Sequence, residues 1–103
     1  MLSTDEAEVS PIIYEDEVCR ARLQMLHNSV PIMHAVVFKF SPSIYKRLLL
    51  IMQKIKEKLV SYGYHVVYAM ANKDNHKLIK FCEMMGFIEI GSISQMIVFA
   101  QEC

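Results

Sequence analysis

The stretch from His65 to Phe87, HVVYAMANKDNHKLIKFCEMMGF, has fewer ways to fold than any other part of the chain. Residues His65 to Ala71 are apolar and rich in β-branched side chains, which predicts a strand covered on both faces. Asn72, Lys73, Asp74 and Asn75 then supply turn and capping groups, because short polar side chains accept hydrogen bonds from the free N–H groups of a first helical turn. A helix is expected from about Asn75. Leu78, Phe81, Cys82 and Met85 recur along it at three- and four-residue spacing, with Lys77, Lys80 and Glu83 turned elsewhere. Gly86 ends it, since glycine enters the left-handed conformation of a C-terminal cap without steric cost, and Phe87 opens the next strand.

Upstream, Ser41-Pro42-Ser43 reads as an N-cap followed by proline at the first helical position. Ile44, Leu48, Ile51, Met52, Ile55, Leu59 and Tyr62 follow at helical spacing, and burying such side chains at ~1.5–3 kcal/mol each anchors a long helix on a sheet. Lys46, Arg47, Gln53, Lys54, Glu57 and Lys58 form its other side, and Gly63 closes it. Before it, Ile32 to Phe40 is expected as a strand near the sheet centre, after a turn at His27-Asn28-Ser29. Ser10-Pro11 repeats the cap-and-proline pattern, which predicts a helix to about His27 with Tyr14, Val18, Ala21 and Met25 as its stripe. The alternative is that Ile12 and Ile13 open a short strand. Ile88 to Ile90 and Met96 to Phe99 are expected as two further strands joined through Gly91-Ser92-Ile93-Ser94-Gln95. Residues 1–9 are acidic and read as a flexible arm, leaving 10–103 as one domain.

Composition narrows the function classes. The formal net charge is zero, so no global basic field argues for nucleic acid, while a neutral balance favours self-association or a protein partner. Acidic residues (Asp5, Glu6, Glu8, Glu15, Asp16, Glu17) crowd the start and basic ones (Lys39, Lys46, Arg47, Lys54, Lys56, Lys58) the middle, which predicts solvated faces with internal acid–base complementarity ahead of an anion-binding surface. Cys19, Cys82 and Cys103 are odd in number and lack CxxC spacing, against both a disulfide framework and a metal site, and for a reducing, cytoplasmic setting. No run approaches the roughly 18 apolar residues of a membrane span. Eight methionines suit adaptable core filling.

The spacing of Asn75, Phe81, Cys82, Gly86 and Phe87 resembles the late strand–helix–strand segment of the GNAT family of acyl-CoA-dependent N-acetyltransferases, which commonly pairs an Asn with Gly-Phe eleven residues on. The order of elements from Pro31 to Phe99, about two thirds of the chain, is also similar to that family. The chain further resembles the internal virion protein A group of short-tailed coliphages, itself similar to a degenerate GNAT domain. The resemblance implies an α/β fold: a small mixed sheet with a long amphipathic helix and a short C-terminal helix, truncated at the N-terminus. It also implies, if acetyl-CoA binds, Ser41, Ser43, Lys46 and Arg47 at the phosphates and Asn75 near the pantetheine arm.

The chemistry of the family is poorly represented. The expected glycine-rich phosphate turn is Phe40-Ser41-Pro42-Ser43-Ile44-Tyr45-Lys46-Arg47, with no glycine before Gly63, and Pro42 removes one donor. The family's tyrosine that protonates the CoA thiolate has Cys82 at its position, a residue whose ordinary role in an apolar stripe is packing. His34 is a base by type, though a histidine inside a strand ordinarily serves as a hydrogen-bonded core residue. Tyr45, Tyr68, His65, His76 and Glu89 have suitable chemistry without a recognisable partner. With only about thirty residues ahead of the central strand, the acceptor side is short and the strand from Ile32 needs a cover, from the N-terminal segment or a second copy. The resulting expectation is a non-catalytic GNAT-like module, phage-encoded, binding protein in the host cytoplasm or virion and using no cofactor. The alternative is an acetyl-CoA-dependent N-acetyltransferase.

Overall fold

The computed structural model describes residues 10–27 and 30–103. The expected arm at residues 1–9, and Asn28 and Ser29 of the expected turn, lie outside them. Among the described residues six strands and two helices follow in the order β1 (Ile12–Glu15), β2 (Cys19–Leu26), β3 (Val30–Val37), α1 (Pro42–Ser61), β4 (Val66–Asn72), α2 (His76–Met84), β5 (Ile88–Ile93) and β6 (Met96–Glu102). They form one mixed sheet in the order β1-β2-β3-β4-β6-β5. Only β3 and β4 run parallel; every other neighbouring pair is antiparallel.

The helix expected between Ser10 and His27 is instead the β1–β2 hairpin. Cys19, Ala21 and Leu23 are buried while Arg20, Arg22 and Gln24 between them are not, a period of two that only a strand produces. β2 pairs with β3 from Cys19↔Val37 to Leu26↔Val30, so the N-terminal segment covers the edge of the central strand. That strand ends at Val37, short of the expected Phe40. β5 and β6 extend toward each other through the expected loop, leaving Ser94 (φ 54°) and Gln95 as the turn, with a bulge between Glu89 and Gly91.

Both helices lie where their caps predict. Ser41 Oγ accepts from Ile44 N (3.2 Å), with Pro42 at the start of α1, and Asn75 Oδ1 accepts from Leu78 N (3.2 Å) to start α2. Gly86 follows α2 at φ +96°, a conformation costly for any other residue. An added Cβ there would also sit 3.2 Å from the Gln101 amide nitrogen, which donates to Met85 O (2.9 Å).

Leu48, Ile51, Met52, Ile55 and Leu59 of α1 and Cys82 and Met85 after it join Cys19, Ala21, Leu23, Val67, Ala69, Ala71, Phe87 and Phe99 in one core. Tyr45 Oη, on α1, donates to Met84 O at the end of α2 (2.9 Å), which places both helices on the same face of the sheet. β4 is therefore covered on one face, not both: Val67, Ala69 and Ala71 are buried and Val66, Tyr68 and Met70 only partly so.

A polar hub pins the hairpin to α1. Asp16 accepts from Tyr14 Oη (2.7 Å), Val18 N (2.7 Å) and Cys19 N (3.0 Å), and Arg47 of α1 reaches Asp16 Oδ2 and Glu17 Oε1, each at 2.9 Å. The Tyr14 hydroxyl, the two backbone N–H groups and the guanidinium hold the Asp16 carboxyl at about 2, below its ordinary 3.8. A carboxyl depressed by folding contributes stability that is present above its ordinary value and lost as pH falls through the folded one. Urea unfolding across this range should therefore show Asp16→Asn losing less stability between pH 4 and pH 2 than the natural chain. In the core, Leu59→Ala, at a site 1% exposed, should cost ~2–5 kcal/mol in the same assay, whereas Leu50→Ala on the solvent side of α1 should stay within about 0.5 kcal/mol.

Candidate functional site

The parallel pair β3–β4 makes a single register contact, Ile32↔Tyr68, near the start of both strands. Beyond it the strands part. The gap is a cleft of about 120 Å³ lined by Met33, His34 and Ala35 of β3, Ala69 and Met70 of β4, Leu78, Phe81 and Cys82 of α2, and Phe87. Drug-sized ligands occupy roughly 300–1,000 Å³. The cleft therefore suits a narrow chain end or a few waters.

His34 and Cys82, the two residues singled out for catalysis, line this cleft from different sides. His34 alternates with Met33 and Ala35 and shares its face with Gln24, whose Oε1 lies 2.8 Å from His34 Nε2. Burial pushes the imidazole below its ordinary range toward the neutral form. Cys82 projects from α2 on the helical face, is 5% exposed, and has its thiol pushed up to about 11, chiefly by burial. It is a neutral packing group at physiological pH.

Of the residues expected at a phosphate, Ser41, Ser43 and Arg47 are engaged within the protein. At the α1 N-terminus Pro42 carries no N–H, Ser41 Oγ takes the Ile44 N–H, Ser41 O takes the Tyr45 N–H (2.8 Å), and the Ser41 and Ser43 hydroxyls bond each other (3.0 Å). Arg47 is held by Asp16 and Glu17, in keeping with the internal complementarity read from the charge distribution, while Lys46 is exposed. Asn75 is exposed and uses its side-chain oxygen to cap α2 at the Leu78 N–H; Leu78 lines the cleft and Asn75 does not. The Asp16 hub is not legible in the sequence as a unit, because the helical period expected there sets Tyr14 and Asp16 on different faces.

Among the described residues no group of three or more His, Cys, Asp or Glu side chains is placed to hold a metal ion, and no helix is long and apolar enough to cross a membrane. With the Cys82 thiol buried and high, alkylation of the native protein at neutral pH should label Cys103 well before Cys82, and Cys82 should react only on unfolding; site-resolved mass spectrometry reads the order.

No protein-family model and no curated protein matches the sequence. Solved structures do match. A GNAT-family acetyltransferase from Listeria monocytogenes superimposes with a TM-score of 0.61 at 9% identity, over 84% of this chain and 58% of that one. A domain from Methanocaldococcus jannaschii gives 0.62 at 15% identity over 89% and 63%, and a chimeric spermidine N-acetyltransferase from Vibrio cholerae gives 0.60 at 12% over 88% and 64%. The chain thus spans less than two thirds of the length of these structures. At such identities the likeness is one of architecture: the six-stranded mixed sheet with its two helices is the fold of the GNAT acetyltransferases.

Proposed function

We propose that this chain is a non-catalytic GNAT-like module that works by binding protein, in the manner its resemblance to the phage internal virion proteins implies, and that it takes no acetyl-CoA. The observation that carries the reading is the first turn of α1. A pyrophosphate needs several convergent N–H donors and close backbone approach, and here one donor is absent at Pro42 and the Ile44 and Tyr45 N–H groups are bound internally. The nearest guanidinium, Arg47, is committed to Asp16 and Glu17. The buried thiol of Cys82 adds support, because a group held near 11 is a poor proton donor to a departing thiolate.

A second reading, an acetyl-CoA-dependent N-acetyltransferase, is favoured by one feature, the cleft where β3 and β4 part, with His34 and Cys82 on its walls. Under it Ser41, Ser43, Lys46 and Arg47 contact the phosphates and Asn75 the pantetheine arm. Isothermal titration of the reduced protein with acetyl-CoA separates the two. The expected result is no saturable heat and no thermal stabilisation at millimolar cofactor. Micromolar binding that is lost in Lys46→Ala, a substitution that leaves the Asp16–Arg47 contact intact, would establish the second reading instead.

A further inference from the structure

We draw no further inference here: the strongest candidate, the face of the sheet opposite α1 and α2, on which Val36 and Ile88 are exposed, carries nothing, because nothing among the described residues shows what covers it.

Discussion

The apolar stripe of α1 against the sheet is the interaction on which the rest of this structure depends. β3 and β4 are parallel, so they cannot be joined by a tight turn and need a crossover that buries one side as it returns. Leu48, Ile51, Met52, Ile55 and Leu59 supply that side. Once α1 is seated, Tyr45 fixes the end of α2, Arg47 fixes the β1–β2 turn through Asp16 and Glu17, and Leu59 O receives the N–H of Tyr64 as the chain enters β4. One helix thus organises both halves of the sheet.

The same placement engages several of the groups considered for a phosphate site. The Ser41-Pro42 cap that starts α1 securely also consumes the donors a phosphate would use, and the guanidinium nearest that turn is spent on holding the hairpin. Cys82 lies on the stripe of α2 that the core requires, so packing pushes its thiol away from acid–base use. At these positions the side chains serve the fold: a cap, an ion pair and a packed thiol.

Where local signals were strong the sequence was readable. Ser41, Pro42, Asn75, Gly63 and Gly86 each mark a helix boundary found in the structure, because capping depends on neighbours a few residues away. Between Ser10 and His27 two periods compete: Tyr14, Val18, Ala21 and Met25 fit a helix, while Cys19, Ala21 and Leu23 alternating with Arg20, Arg22 and Gln24 fit a strand. The pairing of β2 with β3 along its whole length decides the matter, and that pairing is tertiary. Gly91 read as a loop because glycine weakens a strand, yet it sits at a bulge where the partner strand sustains the pairing. The cleft at the candidate site was illegible for a similar reason. It arises from the divergence of two strands, which no residue type encodes.

That divergence divides the sheet into two antiparallel modules. β1-β2-β3 is a meander drawn from residues 12–37, and β4-β6-β5 is drawn from 66–102. The Ile32↔Tyr68 rung is where they meet edge to edge. The seam differs from both modules in its backbone bonding: one register contact joins β3 to β4, against seven between β4 and β6. The seam is accordingly the weakest line of the backbone hydrogen-bond network. Opening along it would break that one register contact while leaving the strand pairs on either side in place, with α1 as the connection between them.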